Sequence, residues 1–316
     1  MKNLVKKLLS VFSIKVTIEN EKHHLLKLGL DNNNYKLVDN GQRLLLTDFS
    51  LLIDPLKHDY ILKSISYLYD LKEKQNAQFE FDENERLIVK IGSLAYNIQT
   101  YEEFFILNEV FIHGVYNIET PGKFALIDIG MNVAITSLYF AGNADCLSIY
   151  SFEPFKLTFE QALFNMSLNP GIKNKINPAN FGLGDTARQI TVPYDKIIKG
   201  NMGINGIPSH SMRANQEILN DEIEIRNAAE TLLPIIKLIK ETTDTIVLKV
   251  DCEGAEYEIF ESFAASDLLS SFNAIIIEWH AKGPEPILTY LKESGFTIFA
   301  FDPASKSAGM IYAFKK

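Results

Sequence analysis

From residue 124 onward, short apolar segments alternate with amphipathic helical patterns along the chain. A strand buried on both faces is a nearly continuous apolar run, and such runs separated by helices are typical of a parallel sheet with helices on both faces. The pattern predicts seven strands, at 124–129, 147–152, 176–181, 245–250, 274–279, 296–301 and 309–315. We therefore expect a doubly wound α/β domain.

The last two predicted strands are separated by too few residues for a crossover helix. Because a parallel connection needs about a dozen residues or more, these two strands must pair antiparallel. The sequence thus predicts a mostly parallel, seven-stranded sheet with an antiparallel edge strand. An all-parallel dinucleotide-binding sheet does not end in this way.

The first hundred residues show a different pattern, with short apolar strands broken by Asn-rich turns. A helix is expected after Pro55, then a hairpin with its turn near Glu83 and Asn84. Thr100 followed by Glu103 forms a capping box, so another helix should begin there. We predict a small N-terminal α/β accessory domain at 1–100 and a ligand-binding domain at 101–316. The accessory domain could recognise substrate or mediate assembly of a homo-oligomer.

Charge and composition narrow the classes of partner. The chain of 316 residues has a net charge of −9, which argues against nucleic acid and anionic membrane surfaces as partners. No apolar run approaches the roughly 20 residues that span a bilayer, and the start, MKNLVKKLLSVFSI, predicts a short amphipathic helix. Two cysteines make no disulfide framework, so we expect a cytoplasmic protein without an integral membrane segment.

Polar residues follow the first predicted strand at its carboxyl end, where ligands bind in open α/β sheets. Asp128, Gly130 and Asn132 stand in this turn. Gly130 lets the backbone approach a ligand, and Asp128 could accept a hydrogen bond from a cationic amine. Such a turn suits an amino-acid moiety better than a pyrophosphate, although an Asp-x-Gly turn is also common for its geometry alone.

The next two strand ends carry residues suited to a nucleoside. Glu153 comes 23 residues after Gly130, about where an acid binds the ribose hydroxyls in nucleotide folds. After the third strand, Asn180, Gly182 and Asp185 lie in a loop that suits the edge and face of an adenine. An ordinary turn is the alternative interpretation of that loop.

The fourth and fifth strands end in acidic and basic side chains. Asp251 stands at the tip of the fourth strand, with Glu253 and Glu256 at the start of the following helix. At the end of the fifth strand, Glu278 and His280 share one side because side chains alternate along a strand.

A glycine-rich segment, KGNMGINGIPSHSMR, lies between the third and fourth strands. A segment of this length inside a compact domain is a mobile lid, a specificity element or an unordered surface loop.

Five of these segments together resemble a known family. In order, LIDIGMNVA, SFEPF, NFGLGD, LKVDCEGAEYEIF and IIIEWH look like the motifs of the FkbM family of S-adenosylmethionine-dependent methyltransferases. The likeness covers roughly residues 101–316. It implies the class I methyltransferase (Rossmann-like) fold and S-adenosylmethionine as the cofactor.

The resemblance implies a role for each matching position. The methionine end of the cofactor would be held by Asp128, Gly130 and Asn132, the ribose by Glu153, the adenine by Asn180, Gly182 and Asp185, and the sulfonium would lie near Asp251. A segment with Glu109 and Tyr116 is similar to one that closes over the cofactor. Ala134 departs from the family pattern, which usually has glycine there.

Methyl transfer to a hydroxyl needs alignment of the oxygen and removal of its proton. We expect His280 as the base, Asp251 as the second candidate, and Glu278 as the group that orients the histidine. By analogy with the family, the acceptor is a hydroxyl of a sugar, glycan or glycolipid.

Three other functions stay open on the sequence. Asp251 and Glu278 could hold Mg²⁺ in an O-methyltransferase that acts on a natural product, although no metal is expected. The fold could be a non-catalytic module that binds a nucleoside or a partner. A nicotinamide dehydrogenase is disfavoured by the Asp-x-Gly-x-Asn turn.

Overall fold

The computed structural model describes residues 30, 33–39, 42–195, 203, 218–301 and 307–315. The amphipathic helix predicted for the start of the chain lies outside the described residues. So does the glycine-rich segment, apart from Gly203. The chain divides into two compact units, one holding its residues up to Gly92 together with Asn97–Ile112, the other Ser93–Tyr96 and His113 onward. The functional division at residue 100 stays a prediction.

The first unit contains short strands and helices. In chain order, the elements up to residue 108 are β1 (Tyr35–Val38), β2 (Arg43–Leu46), β3 (Leu51–Ile53), α1 (Asp59–Lys63), α2 (Ile65–Gln75), β4 (Gln78–Phe81), β5 (Leu87–Ile91), β6 (Leu94–Asn97) and α3 (Tyr101–Asn108). All of them belong to the first unit except β6, most of which belongs to the second. Strands β4 and β5 form the antiparallel hairpin that the sequence predicts. The capping box is confirmed, since Thr100 Oγ1 accepts a hydrogen bond from the Glu103 amide at 3.2 Å.

The second unit alternates strands and helices. Its elements are β7 (Phe124–Ile129), α4 (Ile135–Ala141), β8 (Cys146–Phe152), α5 (Lys156–Ser167), β9 (Ile176–Ala179), β10 (Gly182–Gly184), β11 (Arg188–Asp195), β12 (Ile218–Asn227), α6 (Ala228–Ile239), β13 (Ile246–Val250), α7 (Glu256–Ala265), β14 (Ala274–His280), α8 (Glu285–Glu293), β15 (Thr297–Phe301) and β16 (Ala308–Phe314).

Seven of these strands form one sheet, in the order β15-β16-β14-β13-β7-β8-β9. From β14 to β9 the neighbouring strands are parallel. The antiparallel edge is confirmed: β16 runs against β14 on one side and against β15 on the other. The reversed strand of this edge pair is β16, which lies one place in from the border. The second unit thus has the class I methyltransferase (Rossmann-like) fold.

The β7 and β13 strands are fully buried, as their continuous apolar runs predict. Their side chains pack with those of α6, α7 and β14 in one hydrophobic core. Two polar residues interrupt these runs: Asp128 in β7 and Lys249 in β13. Both lie at the end of the sheet that forms the candidate site.

A second, three-stranded sheet of order β10-β12-β11 was not predicted. The predicted third strand is shorter than expected and ends at Ala179, after which Gly182–Gly184 joins the smaller sheet. Strand β12 alternates polar and apolar residues, so that Ile223 and Ile225 are buried. This alternation is the signal that could have identified the strand.

Within the described ranges, helices are all too short or too polar to cross a bilayer.

Candidate functional site

A cleft opens at the carboxyl ends of β7, β8 and β13, where parallel sheets bind their ligands. Its lining residues are Ile129, Gly130, Asn132, Phe152, Glu153, Pro154, Phe155, Gly182, Leu183, Gly203, Ile223, Ile225, Asp251, Cys252, Glu253 and Ala255. The space within the cleft, counted together with open solvent at its mouth, is about 640 Å³. We call this space the main cleft.

The turn after β7 adopts a conformation that depends on its residue types. Gly130 has φ +86°, and the next two left-handed residues are Asn132 at φ +52° and Ala134 at φ +68°. Glycine and asparagine tolerate this region, whereas alanine is strained there. The left-handed backbone therefore explains why position 134 favours glycine, although alanine occupies it in this chain.

The turn is anchored to the neighbouring strand β8. The amides of Gly130 and Met131 donate hydrogen bonds to the carbonyl of Phe152, at 3.1 and 2.9 Å. The amide of Asn132 donates to Glu153 Oε2 at 2.9 Å. The first two strand tips are thus joined directly beside the main cleft.

Asp128 does not line the main cleft. Its side chain is completely buried, with Oδ2 accepting a hydrogen bond from Ser137 Oγ at 2.6 Å. Its Oδ1 lies 3.2 Å from the ammonium of Lys249. The sequence suggested that Asp128 binds a cationic amine directly, and the cation that it contacts is a lysine of the neighbouring strand.

Glu153 lines the main cleft and is almost fully buried. Its Oε2 accepts the Asn132 amide, and its Oε1 accepts the Phe155 amide at 3.0 Å. Burial raises the pKa of Glu153 to about 7, although these two hydrogen bonds oppose the rise. Each carboxylate oxygen keeps a second lone pair for a ligand hydroxyl.

The predicted adenine loop is brought to the cleft only in part. Gly182 lines the cleft, and a Cβ added to it would lie 2.7 Å from Ile225 Cδ1. The side-chain Nδ2 of Asn180 instead donates to the carbonyls of Glu153 and Pro154, at 2.9 and 3.1 Å. The carboxylate of Asp185 pairs with Arg188 at 3.0 Å and is not among the lining residues.

Apolar side chains complete this part of the cleft. Phe155, Leu183, Ile223 and Ile225 line it, and all four are buried. Two of them come from the unpredicted strand β12. An apolar slot of this kind suits a flat heterocyclic ring.

Asp251 lines the opposite part of the cleft. Its amide donates to the carbonyl of Ile129 at 3.0 Å, which fixes the backbone against the Gly130 turn. Its Oδ2 accepts a hydrogen bond from Tyr116 Oη at 3.0 Å and lies 3.6 Å from Lys249 Nζ. The predicted approach of Tyr116 to this region is thus seen as a direct contact with Asp251.

Glu109, the other residue of that segment, lies in the first unit, in the π-helical turn Glu109–His113. Its predicted part in cofactor binding stays a prediction.

Glu253 and His280 form a second polar group next to Asp251. His280 Nε2 lies 3.6 Å from Glu253 Oε1 and 3.8 Å from Glu278 Oε1. The short contact of the histidine is with Glu256, whose Oε1 is 2.9 Å from Nδ1. Glu256, rather than the predicted Glu278, is therefore the residue that orients the ring.

Glu256 also organises the loop between β13 and α7. Its two carboxylate oxygens accept the amides of Cys252 and Gly254, at 3.2 and 2.8 Å. Tyr257 Oη in turn donates a hydrogen bond to one of the carbonyls of His280 and Gly283, which lie 2.8 and 2.9 Å away. The sequence places Glu256 at the start of the helix after β13, and the structure adds its contact with the histidine.

The charges of this group shift its protonation. Burial lowers the pKa of His280, but the hydrogen bond to Glu256 and the charge of Glu253 outweigh it and raise this pKa to about 10. Burial raises the pKa of Glu253 to about 8, opposed by the charge of His280. A histidine that is protonated at neutral pH cannot accept a proton, and His280 is not among the lining residues. Both observations argue against the predicted role of His280 as the base.

One group of side chains among the described residues could contact a metal ion together. The ligand atoms of Asp251, Glu253 and His280 lie within 4.8 Å of one another. Glu278 is not part of this group. The alternative of Mg²⁺ held by Asp251 and Glu278 stays a prediction.

Lys249 is a polar residue near the cleft whose part in the site is not predicted from the sequence. Its ammonium donates a hydrogen bond to the carbonyl of Gly130 at 2.6 Å and lies between the carboxylates of Asp128 and Asp251. A lysine inside an otherwise apolar strand, in register with an aspartate of the next strand, was the available signal. Recognising it requires knowledge of which strands are neighbours.

Gly203 is the described residue of the glycine-rich segment, and it lines the main cleft. A Cβ added to it would lie 1.9 Å from the carbonyl oxygen of Glu253. The chain therefore approaches the loop after β13 at this point without room for a side chain.

The chain is similar to known methyltransferases. Residues 128–298 match the family described as Methyltransferase FkbM domain, which is more than half of the chain. The methyltransferase sdnD of Sordaria araneosa is 25% identical over 222 residues, 64% of this chain and 85% of that protein.

Similar solved structures are more distant. Methyltransferase FkbM from Methylobacillus flagellatus KT is 12% identical with a TM-score of 0.42, covering 83% of this chain; the chain spans 61% of that protein's length. The human methyltransferase 10 domain containing protein is 16% identical with a TM-score of 0.41, covering 80% of this chain and 96% of the other.

Proposed function

This chain belongs to the methyltransferase FkbM domain family, and we propose that it methylates a hydroxyl of a sugar, glycan or glycolipid. It is an S-adenosylmethionine-dependent methyltransferase. The hydroxyl acceptor and its sugar nature are the proposed part. The observation that supports them is that two carboxylates, Asp251 and Glu253, line the same cleft as the Gly130 turn and Glu153.

The residues of the main cleft fit the cofactor. Gly130 lines the cleft without a side chain, so its backbone can lie against an amino-acid moiety. Glu153 has free lone pairs for ribose hydroxyls, and the apolar slot at Leu183 and Ile223 suits adenine. We assign these three regions to the methionine end, the ribose and the base, respectively.

Bound S-adenosylmethionine supplies a methyl group on a cationic sulfonium. Asp251 lies closest to the turn and would face that cation, because a carboxylate in a water-poor cleft stabilises an adjacent positive charge. Tyr116 holds the carboxylate through its hydrogen bond to Oδ2.

We assign the role of base to Glu253, because its pKa of about 8 leaves part of this carboxyl group ionised near neutral pH, whereas a pKa of about 10 leaves almost no neutral His280. Transfer of a methyl group to a hydroxyl releases the hydroxyl proton, which a nearby group must accept. Glu253 lines the cleft, whereas His280 and Glu278 do not. His280, at 3.6 Å, would orient the Glu253 carboxylate by charge.

Carboxylates at the acceptor end suit a carbohydrate, because sugar hydroxyls donate hydrogen bonds that carboxylates accept. The net charge of −9 disfavours RNA or DNA as the acceptor.

The experiment is incubation of the purified full-length protein with methyl-labelled S-adenosylmethionine and two sets of acceptors, nucleotide sugars and cell-envelope extracts. The expected result is label in carbohydrate, with the new carbon identified as a methoxy group by NMR. Label in protein or nucleic acid, or on nitrogen, would refute the proposal.

Two variants sharpen the assignment of the base. Glu253→Gln should keep S-adenosylhomocysteine binding and lower kcat at least 100-fold, within the usual range for a lost general base. Glu278→Gln is the matched control, because it changes an acid near His280 that does not line the cleft. Equal activity in the two variants would reject Glu253.

A further inference from the structure

Lys249 is a buried cation with three oxygen neighbours, two of them at the end of β7 and one at the tip of β13. Its side chain is 3% exposed, and its Nζ lies 3.2 Å from Asp128 Oδ1, 3.6 Å from Asp251 Oδ2 and 2.6 Å from the carbonyl oxygen of Gly130. The ring of Tyr116 lies on another side, with its centroid 5.7 Å away. The ammonium is therefore enclosed between the Gly130 turn and the tip of β13.

This enclosure determines the charge beside the cleft. Two carboxylates and one ammonium carry a net charge of −1. Asp128 is completely buried, whereas Asp251 is partly open and lines the cleft. The uncompensated negative charge is consequently presented to a ligand at Asp251.

We propose that Lys249 is a positioning residue, which holds the Asp251 carboxylate and the Gly130 turn in one arrangement against the cationic sulfonium of the cofactor. This inference rests on the proposed function, since it assigns Asp251 to the sulfonium. Lys249 is not among the residues that line the cleft, so it acts through Asp251. Asp128 holds the ammonium of Lys249 from the buried side.

The arrangement has a consequence for ligand preference. The sulfonium of S-adenosylmethionine is positive, whereas the sulfur of S-adenosylhomocysteine is a neutral thioether. A carboxylate held at the sulfur discriminates between the two, because Coulomb attraction falls with distance and with exposure to water. Lys249 therefore supports tighter binding of the donor than of the product.

The test uses a variant that removes the buried pair without leaving a lone charge. Lys249→Met by itself would leave Asp128 buried and uncompensated, and this can prevent folding. The double variant Asp128→Asn with Lys249→Met keeps the net charge of −1 on Asp251 and keeps an acceptor for Ser137. It removes the buried ion pair of Asp128 and Lys249, and with it the cation that holds Asp251.

A matched control is Lys175→Met. Lys175 also donates to backbone carbonyls, those of Ala141 and Asn143 at 3.0 and 2.8 Å, and it is not among the residues of the cleft. This substitution tests whether loss of a structural lysine is enough to change ligand preference.

Calorimetry gives the Kd of S-adenosylmethionine and of S-adenosylhomocysteine for each protein, and circular dichroism confirms folding. In the double variant we expect the preference for the donor to fall about tenfold, with product affinity within about threefold of wild type. Lys175→Met should leave the preference unchanged. A folded double variant with wild-type preference would overturn the inference. Wild-type protein that binds neither ligand would instead refute the proposed cofactor site.

Discussion

Gly130 packs against the backbone of Asp251 so closely that a Cβ at position 130 would lie 1.6 Å from the Asp251 carbonyl oxygen. The same glycine has φ +86°, a conformation that side chains disfavour. Two strand tips are therefore in direct backbone contact beside the main cleft. This contact cannot be relieved by rotation of a side chain.

We predict that Gly130→Ala lowers S-adenosylhomocysteine affinity at least 100-fold, because the turn must move away from Asp251. Calorimetry measures the affinity, and near-ultraviolet circular dichroism reports on folding. Gly171→Ala is the control, since a Cβ there meets nothing within 4 Å. Unchanged affinity in Gly130→Ala would contradict the close packing.

A second prediction concerns Ala134, a fully buried residue at φ +68°. Replacement by glycine removes a strain of about 1–2 kcal/mol. It also loses a buried methyl, at about 0.8 kcal/mol, and adds chain entropy to the unfolded state, at about 0.5–1 kcal/mol. Ala134→Gly should therefore change the free energy of unfolding by less than about 1 kcal/mol.

The control is Ala162→Gly, which changes an equally buried alanine inside helix α5. No strain is relieved there, so we expect the free energy of unfolding to fall by about 1.5–2 kcal/mol. Urea denaturation of both variants measures the difference. If Ala134→Gly costs as much as Ala162→Gly, the left-handed conformation at 134 is not strained.

A third prediction is that cofactor binding depends on pH through Glu153. Its pKa of about 7 means that the carboxylate becomes protonated as the pH falls below 7, and a protonated acid accepts fewer ribose hydroxyl bonds. Affinity for S-adenosylhomocysteine should fall about tenfold from pH 8 to pH 6. Glu153→Gln should bind weakly with a flatter pH profile, and an equally steep profile in that variant would exclude Glu153 as the titrating group.

The raised pKa of Glu153 has the opposite effect on the stability of the ligand-free protein, which decreases as the pH rises. Because the folded pKa of Glu153 lies above its usual value of 4.5, the folded state binds the proton more tightly than the unfolded state. This contribution to stability is fully present below pH 4.5 and is lost as the pH rises to about 7. The loss should be absent in Glu153→Gln, as thermal unfolding across that range can show.

A fourth prediction concerns the protonation of His280. Burial opposes the charged form, but the Glu256 hydrogen bond and the Glu253 charge hold the pKa near 10. NMR of histidine-labelled protein in EDTA should show a ring that stays protonated up to pH 8. His58, whose pKa is lowered mainly by burial, provides the internal contrast and should titrate below 6.5. A His280 midpoint near 6.5 would restore it as a candidate base.

The reaction should also proceed without a metal ion. The group that could contact a metal contains a histidine nitrogen, whereas Mg²⁺ prefers an all-oxygen set. We expect full activity in EDTA, measured by label transfer from S-adenosylmethionine. Loss of activity that Mg²⁺ restores would favour the metal-assisted alternative.

The predicted ends of the strands of the large sheet agree with the structure to within one residue, except in the third strand, which ends two residues early. The Gly130 turn and the antiparallel pairing of β15 and β16 were also predicted correctly. These features follow from local physics: apolar runs need burial, short connections allow only antiparallel pairing, and few residue types tolerate a left-handed backbone.

The pairing of the buried charges, in contrast, does not follow from the local sequence pattern. Asp128 pairs with Lys249, and His280 pairs with Glu256, because strands β7 and β13 are neighbours and helix α7 begins beside β14. Local pattern placed each of these residues at a strand or helix end, but only the tertiary structure decided which carboxylate meets which cation. Desolvation makes that choice decisive, since a buried charge must find its partner in three dimensions rather than along the chain.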